Sequence, residues 1–404
     1  MITTATIGKV CIVGDGAHAS ISRTENGIPY LTSKNFKQEG LNLSNLSYIS
    51  ENDYEKHFRE YSKALTRPKC DDLILSIIGS IGAPYLVRDS DKFGISSSVA
   101  LIRPLKGLDA KYLFYYLKNS GVQNYVEVIK SGSAQGFLSL EMIKSIPIEY
   151  PLIETQQRIA SILSAYDDLI EKNNARIQLL ETTAQELYKE WFVRMRFPNF
   201  KNVKFVKGVP EGWEVKKLDE LVTTQYGYTA SAIKENVGLK FLRITDIADY
   251  KIDWENVPNC IIPEKEINKY LLKNGDIVVA RTGATVGFAK RINKFHPPTV
   301  FASYLVRLKP KDLIFNYYLG IIIESENYKE YIQTVASGSA QPQANAGLMT
   351  GFTLFKPTDL LIKKFNLIVE PFFDQREILE QQNTHLRQIR DRLLPRLVSG
   401  KLAV

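Results

Sequence analysis

The sequence predicts an α+β (mixed α/β) protein: two duplicated lobes joined by two long helices that pack as an antiparallel coiled coil, with pseudo-twofold symmetry. Three observations support this prediction. The pentapeptide SGSAQ occurs at residues 131–135 and again at 337–341 of a 404-residue chain. Short β-branched runs that end at glycine precede each copy. A long segment with heptad spacing follows each copy, and this spacing is typical of helices that pair along one face.

The duplication extends well beyond the pentapeptide. The segment GDGAHAS (14–20) is similar to QYGYTAS (225–231), and CDDLILSIIGSIG (70–82) is similar to NGDIVVARTGATVG (274–287). The motif LFYYL before the first SGSAQ corresponds to FNYYL before the second. This shared order indicates an internal repeat, and its period of about 200 residues indicates two whole lobes, because solenoid repeats are much shorter.

Each repeat mixes strand and helix patterns. The runs DLILSII and DIVVART are typical of buried strands that end at glycine turns, and the segments 109–120 and 311–325 have the spacing of amphipathic helices. This mixture predicts an α+β lobe. The sequence therefore divides into a first lobe at 1–150, a helical arm at 151–197, a second lobe at 198–356 and a second helical arm at 357–404.

Both arms carry one apolar seam. Residues 155–194 contain neither Pro nor Gly, and the seam positions alternate spacings of four and three residues. Forty helical residues would extend about 60 Å. The predicted seam residues are Tyr166, Ile170, Asn173, Ile177, Leu180, Ala184, Leu187 and Trp191 in the first arm, and Phe372, Gln375, Leu379, Gln382, Leu386, Ile389 and Leu393 in the second.

The two seams match each other in register. Aligning Ile170 with Leu379 sets Asn173 against Gln382, so each seam contains one amide side chain. A single amide in an apolar seam weakens packing but selects register and partner orientation. We expect the two arms to pack against each other; the alternative is that each helix folds back on its own lobe as ordinary core.

Composition limits the class of partner and the cellular compartment. The net charge of +8, from 52 Lys and Arg against 44 Asp and Glu, favours a polyanionic partner. Three scattered cysteines and four scattered histidines form no disulfide framework or metal-binding spacing. No apolar run approaches the roughly 20 residues that span a bilayer, and the N-terminus has no export signal. We therefore expect a cytoplasmic protein.

The motifs of common catalytic sites are missing from the sequence. The only Gly-Lys pair near a helix, at 400–401, lacks the remainder of a P-loop, and GDGAHAS has a lone GxG. The tetrapeptide HPPT (296–299) departs from the methyltransferase motif Asn/Asp-Pro-Pro-aromatic at both ends, and PEKEINK (263–269) lacks the nuclease arrangement of acids. The sequence therefore predicts a binding and scaffolding protein with no metal site and no catalytic residues.

Several segments resemble the specificity (S) subunits of type I restriction–modification enzymes. The segments ELYKEWFVRMRFPNF and GVPEGWEVKKLDEL, both within 186–221, are similar to that family. PLIETQQRIASILSAYDDLIEKNNARI (151–177) is similar to its central conserved region, and REILEQQNTHLRQIRDRLLPRLVSGKL (376–402) to its distal one. One departure is that the N-terminus lacks the Trp of GWEVKKLDEL, which leaves the start of the first lobe less defined.

The resemblance implies that this chain recognises DNA and that partner subunits carry out catalysis. The lobes would be target recognition domains, each reading one half of a split double-stranded DNA sequence, with the helices as a ruler between them. Two methyltransferase (M) subunits would bind this chain and carry S-adenosylmethionine, and restriction/translocase (R) subunits would add chemistry that depends on ATP and Mg²⁺. The chain itself would bind no cofactor and no membrane, and the assembled complex would be an adenine-type DNA methyltransferase and a site-specific endonuclease.

Candidate DNA contacts come from the loops that the lobes share. Cations contact phosphates, whereas amides, hydroxyls and arginine also read base edges. For SGSAQ, a DNA contact and a tight turn that caps the next strand are both open interpretations. The candidates are Lys34, Arg67, Lys69, Ser133, Gln135, Tyr228, Arg243, Arg281, Thr282, Thr285, Lys290, Arg291, Ser339 and Gln341, with Arg23 as a further cation.

Two other functions compete with DNA recognition by a subunit. One is a stand-alone DNA methyltransferase or nuclease with an unrecognised active site, which would convert DNA without a partner. The other is a coiled-coil adaptor unrelated to DNA, which would fail to bind DNA at any salt concentration.

Overall fold

The computed structural model divides into two compact units. Unit 1 comprises Met1–Lys172 and Gln382–Val404, and unit 2 comprises Asn173–Gln381. Each unit therefore contains one lobe and part of each long helix. The residues that the structure describes are 2–37, 40–44, 46–60, 66–79, 81–131, 136–249, 251–336 and 343–404.

The first lobe contains short strands and short helices. Its strands are β1 (Thr3–Thr6), β2 (Cys11–Asp15), β3 (Ile28–Leu31), β4 (Phe36–Lys37), β5 (Gly40–Leu41), β6 (Ser47–Ile49), β7 (Leu73–Ser76), β8 (Pro84–Leu86), β9 (Gly94–Ile95), β10 (Val99–Pro104) and β11 (Pro147–Tyr150). Its helices are α1 (Ile7–Val10), α2 (Glu51–His57), α3 (Ala110–Lys118), α4 (Ser120–Ser131) and α5 (Leu140–Ser145).

Two small sheets form the frame of this lobe. One is antiparallel with the order β2-β10-β7-β8, and all four residues of β7 are buried, as its apolar run predicts. The other has the order β6-β3-β9 and combines an antiparallel pair with the parallel pair β3 and β9. Strand β1 pairs with β11 and so brings the two ends of the lobe together.

The first long helix, α6 (Ile153–Tyr188), continues into a π-helical turn at Lys189–Val193, and a 3₁₀ turn follows at Phe200–Asn202. The second lobe then begins. Its strands are β12 (Phe205–Val206), β13 (Val209–Pro210), β14 (Glu214–Lys217), β15 (Val222–Tyr226), β16 (Leu239–Leu242), β17 (Asn259–Cys260), β18 (Ile277–Ala280), β19 (Ala289–Arg291), β20 (Thr299–Phe301), β21 (Leu305–Pro310) and β22 (Thr353–Lys356). Its helices are α7 (Leu218–Leu221), α8 (Glu264–Tyr270), α9 (Asn316–Ile323), α10 (Glu326–Ala336) and α11 (Ala346–Thr350), and 3₁₀ turns lie at Gly283–Thr285 and Leu313–Phe315.

The second lobe repeats the topology of the first. Its antiparallel sheet has the order β15-β21-β18-β19, and its mixed sheet has the order β17-β16-β20 with β16 and β20 parallel. Strand β14 pairs with β22 as β1 pairs with β11. The prediction of two duplicated α+β lobes is confirmed by this strand-by-strand correspondence.

Shared glycines occupy equivalent positions in the two lobes. A Cβ on Gly16 would lie 2.3 Å from the carbonyl oxygen of Ile95, and a Cβ on Gly227 would lie 2.2 Å from that of Ala302. Since real Cβ atoms do not approach so closely, only glycine fits where these loops cross the neighbouring strand.

A partly buried ion pair is also duplicated. Arg103 on β10 lies 2.6 Å from Asp72, and Arg307 on β21 lies 3.2 Å from Asp276. Both aspartates also accept a backbone N–H from three residues earlier, at 2.8 and 2.9 Å. These bonds satisfy the buried carboxylates, so the motif shared by CDDLI and NGDIV builds the same corner in each lobe.

The second long helix, α12 (Asp359–Val398), ends the chain, and within each unit it runs antiparallel to α6. In unit 1, Ile159 and Leu163 of α6 share a core with Leu394 and Leu397, and Asp167 pairs with Arg390 further along both helices. In unit 2, Glu181 pairs with Arg376 at 3.1 Å, and the Trp191 ring lies 5.8 Å from that of Phe365. Both helices also pack on their lobes, so the alternative of helices used as lobe core holds in part.

The predicted seam of the first arm agrees with its burial, but that of the second arm is displaced by one residue. Ile170, Asn173 and Ile177 are 8%, 3% and 5% exposed. In α12, by contrast, Gln382 is exposed while Asn383 is fully buried, and Ile389 is 46% exposed. The remaining predicted positions are buried (Ala184, Trp191, Leu379), half-buried (Tyr166, Leu180, Leu187, Phe372, Leu386, Leu393) or exposed (Gln375).

The displacement of the second seam has a physical cause. Arg376, Glu377 and Arg390 face inward as paired charges, whereas Ile378 and Ile389 face outward. A heptad fitted to apolar residues alone therefore selects the wrong face of this helix. The prediction of Gln382 as the seam amide is wrong, and the buried amide is Asn383.

Candidate nucleic-acid interface

The same turn follows the first strand of the mixed sheet in each lobe. In the first lobe, Asn35 Oδ1 accepts the Thr32 backbone N–H at 2.9 Å, and Lys34 is exposed at the tip. In the second lobe, Asp246 Oδ2 accepts the Arg243 N–H at 2.8 Å. The carboxylate also binds the Arg243 guanidinium at 2.8 and 3.0 Å. The turn thus presents an exposed ammonium group in one lobe and a neutralised guanidinium in the other.

A second shared tip connects β7 to β8 and β18 to β19. Its glycines, Gly79 and Gly283, have φ of +76° and +74°, a left-handed conformation that favours glycine. In the second lobe this tip carries three of the predicted contacts. Thr282 forms a β-bridge with Gln343, and the Thr285 hydroxyl is buried without a hydrogen-bond partner among the described residues.

Arg281 stands at the entrance to this tip, directly after β18. Its guanidinium carbon lies 5.0 Å from the centre of the Tyr226 ring, within the range of a cation–π contact. The Tyr226 hydroxyl oxygen accepts the Ala346 N–H at 3.0 Å. Tyr226 is not among the predicted contacts, although its position in QYGYTAS, beside the shared glycine, was a usable signal.

A basic cleft of about 360 Å³ lies in the first lobe beside Gly16. His18, Lys56, His57 and Arg59 are among its lining residues, and His18 Nε2 lies 2.6 Å from Asp15 Oδ2. In the second lobe the predicted residue Tyr228 follows the equivalent glycine. Its ring packs 5.2 Å from that of Tyr270 at the end of α8, so this loop is basic in one lobe and aromatic in the other.

The predicted cations Arg67 and Lys69 lie on the surface of the first lobe but have acidic partners. Arg67 lies 3.2 Å from Glu55 and 5.2 Å from the centre of the Tyr54 ring, and Lys69 lies 3.1 Å from Glu60. Arg23 lies over the Tyr30 ring at 3.8 Å. These partners reduce the net positive charge that DNA would meet at Arg67 and Lys69.

Arg291 is not a surface residue, so its prediction as a DNA contact is wrong. The residue is 6% exposed and lies 3.2 Å from Glu377 on α12. The rings of Tyr317 and Phe373 each lie 4.9 Å from its guanidinium carbon. Burial, followed by the neighbouring Arg376, lowers the pKa of Arg291, and burial raises the pKa of Glu377. Because side chains alternate along β19, one member of the Lys290–Arg291 pair must point inward, and Lys290 is half-buried.

The four predicted contacts of the SGSAQ copies lie outside the described residues: Ser133, Gln135, Ser339 and Gln341. The residues just after each copy are described. Leu138 donates its N–H to Ile77 O at 3.0 Å, and Ala344 donates to Arg281 O at 2.9 Å. In both lobes the chain after SGSAQ therefore attaches to the glycine-containing tip after β7 or β18.

No metal-binding cluster accompanies these loops in the part of the chain that the structure describes. No group of three or more His, Cys, Asp or Glu there could hold a metal ion. Burial raises the pKa of Cys11 to about 12 and that of Cys260 to about 11. Both thiols therefore stay protonated at neutral pH and are poor nucleophiles. No described helix is long and apolar enough to cross a bilayer.

Comparison with known proteins agrees with this geometry. A sequence profile of the type I restriction modification DNA specificity domain matches residues 3–182 and 210–359, one match in each half of the chain. The chain belongs to this family. Each lobe is thus one of the two target recognition domains of a type I specificity subunit.

Relatives and solved structures in this family cover nearly the whole chain. The chain is 28% identical to the type I restriction enzyme MjaIX specificity subunit of Methanocaldococcus jannaschii, over 98% of this chain and 93% of that protein. It is 29% identical to the MjaVIII specificity subunit of the same organism, over 88% and 85% of the two chains. The crystal structure of the S subunit from M. genitalium has the same fold, with a TM-score of 0.59, 16% identity and coverage of 98% and 96%.

Proposed function

We propose that this specificity subunit binds a bipartite DNA target, with one recognition domain on each half-site, and that it scaffolds methyltransferase and restriction subunits. The observation that carries this proposal is the duplication itself. The two lobes have the same strand order, but their equivalent loop tips carry different side chains. Arg281 of the second lobe corresponds to Ile77 of the first, and each makes the equivalent pair of backbone hydrogen bonds in its own lobe. A shared frame with divergent tips suits two domains that read different base sequences.

Charge and loop chemistry support DNA as the ligand. The net charge is +8, and Lys34, Arg281 and the basic cleft of the first lobe supply cations on loops. Such groups bind phosphates and release counterions, so affinity falls as salt rises. We propose Lys34, Thr282, Thr285, Tyr228 and Lys290 as contacts beside Arg281.

Catalysis and cofactors are assigned to the partner subunits. The relatives are named as specificity subunits of restriction enzymes, and the described residues contain no metal cluster. S-adenosylmethionine, ATP and Mg²⁺ would therefore be bound by the methyltransferase and restriction subunits. In the assembled state this chain would supply sequence recognition and the scaffold for its partners, in the cytoplasm.

Methylome sequencing tests the proposal directly. Cells that express this chain with its methyltransferase partner are expected to methylate one split sequence, at both half-sites. Cells that express the partner alone are expected to lack that methylation. Specific DNA conversion by the purified chain without a partner would instead support a self-sufficient enzyme. A failure of the complex to bind DNA at low salt would support an adaptor without a DNA function.

An exposed apolar face of α12 indicates where a partner binds. Leu360, Leu367 and Ile378 are 66%, 77% and 44% exposed. Their spacings of seven and eleven residues are close to two and three helical turns, so the three side chains share one face. Aligned exposed apolar residues are typical of protein interfaces, and we propose that a methyltransferase subunit covers them.

Leu367→Glu is expected to weaken methyltransferase binding by roughly 30-fold or more, because a central apolar contact is typically worth at least 2 kcal/mol. The measurement is a titration of the chain against its purified partner by calorimetry. Lys201→Glu is the matched control, since it changes the charge by more at an exposed polar position and should leave binding near wild type. Equal affinity of the Leu367→Glu variant and the wild-type chain would exclude this face as the docking surface.

A further inference from the structure

We propose that Arg281 reads a guanine in the half-site of the second lobe, and that Tyr226 holds the guanidinium in place for that contact. The inference rests on the proposed function and goes further, because it names one base and the side chain that recognises it.

The backbone of Arg281 is fixed on both sides. Its N–H donates to Tyr304 O at 3.0 Å, and its carbonyl accepts the Ala344 N–H at 2.9 Å. It directly follows β18, in which every residue is buried. A side chain that starts from such a rigid point loses less entropy on binding than one on a free loop.

The charge of Arg281 has no carboxylate partner among the described residues of the lobe. Of the four arginines between residues 198 and 356, three are paired with carboxylates: Arg243 with Asp246, Arg291 with Glu377 and Arg307 with Asp276. Arg281 forms no ion pair with any described residue, and its Nε is buried without a hydrogen-bond partner there. A half-buried guanidinium without a carboxylate partner is suited to an external acceptor, which would bind its terminal N–H groups and not the buried Nε.

The contact with Tyr226 favours a base edge as that acceptor. A guanidinium that lies over a ring uses its face for that contact, and its terminal N–H groups, unlike the buried Nε, are left for an acceptor. Two parallel in-plane donors match O6 and N7 of guanine in the major groove, the commonest specific arginine contact with DNA. A phosphate requires positive charge but not this fixed planar orientation, and a flexible lysine would serve there equally well.

The first lobe has the same frame without this chemistry. Ile77 donates its N–H to Ser98 O at 3.2 Å and accepts the Leu138 N–H at 3.0 Å, as Arg281 does with Tyr304 and Ala344. Yet the Ile77 side chain is apolar and only 7% exposed. The position equivalent to Tyr226, the last residue of β15, is Asp15, the last residue of β2. The guanine contact is therefore confined to the second half-site, and the two half-sites differ in sequence.

The test uses the full chain in complex with its methyltransferase. Arg281→Gln and Arg281→Lys are each expected to relax the methylated motif at one guanine of one half-site and to leave the other half-site unchanged. Binding of the native target should weaken about 10- to 100-fold, with little further loss when that guanine is replaced. Tyr226→Leu should relax the same position to a lesser degree, whereas Tyr226→Phe keeps the ring and should behave nearly as wild type.

Arg196→Gln is the matched control, because it removes the same charge from a side chain that is 64% exposed outside the lobes. A uniform loss of affinity on all sequences, with a salt slope lower by about one, would show a phosphate contact and overturn the guanine assignment. An unchanged motif in both Arg281 variants would also overturn it; if Arg281→Gln fails to fold, Arg281→Lys decides. Absence of bipartite methylation by the wild-type complex would reject the proposed function itself, which is a distinct result.

Discussion

Replacing residues 1–150 with the corresponding lobe of another specificity subunit is expected to change one half of the methylated sequence and to leave the other half unchanged. The first lobe has its own sheets and its own apolar core, so its loops do not depend on the second lobe. Each changed base pair costs about 1–3 kcal/mol, and three altered pairs therefore abolish binding to the old half-site at ordinary concentrations. Methylome sequencing of cells with the chimera gives the result directly.

The structure defines where the chimera must be joined. Strand β11 ends at Tyr150 and α6 begins at Ile153, so a junction between them interrupts neither element. Among the contacts between the lobe and the helix, two depend on lobe side chains and should be kept: Tyr115 Oη donates to Asp167 at 2.7 Å, and Arg88 binds Glu171 at 2.7 and 3.0 Å. A donor lobe with Tyr and Arg at these positions is the appropriate choice.

The reciprocal exchange is the control for this experiment. Replacing residues 198–356 should change the other half-site and leave the first one as it was. A change in both half-sites after either exchange would show that the lobes do not read DNA independently. No change after either exchange would place recognition outside the lobes.

The duplication was predictable from sequence because the features that repeat are glycines and buried strands, which require the same residue types in both lobes. Gly16 and Gly227 are required by a close backbone approach, and β7 and β18 are buried throughout and mostly apolar. Such constraints act locally, so the same residue types recur at the same offsets. The heptad of α6 was equally predictable because the seam positions Ile170, Asn173 and Ile177 are apolar or amide and are buried.

The second helix and the loop contacts were harder to predict because their chemistry depends on partners distant in sequence. Arg291 has the composition of a surface residue, and only Glu377, on α12, explains why it is buried. The inward charges of α12, Arg376, Glu377 and Arg390, likewise have partners distant in sequence, and they displaced the predicted seam by one residue. Arg281 remains a predicted contact, and the structure adds a feature that the sequence does not show: it is the arginine of its lobe without a carboxylate partner in the described structure.

The Arg291–Glu377 pair leads to the second large expected effect. Glu377→Ala should destabilise unit 2 by about 3–5 kcal/mol, because it leaves the buried guanidinium without its carboxylate. For a unit of this size that corresponds to a fall in Tm of roughly 6–20 °C. All three tryptophans of the chain, Trp191, Trp213 and Trp254, lie in unit 2, so tryptophan fluorescence during thermal unfolding reports on this unit specifically.

The double variant Arg291→Leu with Glu377→Leu should be far more stable than Glu377→Ala and close to wild type. Burial raises the pKa of Glu377 and lowers that of Arg291, so the attraction between them does not fully offset the cost of removing both charges from water. Glu377 Oε2 and Arg291 Nε also lack hydrogen-bond partners within the described chain. In the first lobe, Leu86 of β8 occupies the position equivalent to Arg291. It lies opposite Leu73 in the sheet, as Arg291 lies opposite Ile277. The shared fold therefore already accommodates leucine at this position.

The matched control is an exposed ion pair between the same two parts of the fold, the segment after β19 and helix α12. Lys294 lies 2.7 Å from Asp374, with side chains 42% and 33% exposed, and Lys294→Met should cost less than about 1 kcal/mol. If Glu377→Ala were as mild as Lys294→Met, water would have to reach Arg291, contrary to its burial. If the double variant were as unstable as Glu377→Ala, the pair would contribute net stability, and the buried charges would be part of what fastens β19 to α12.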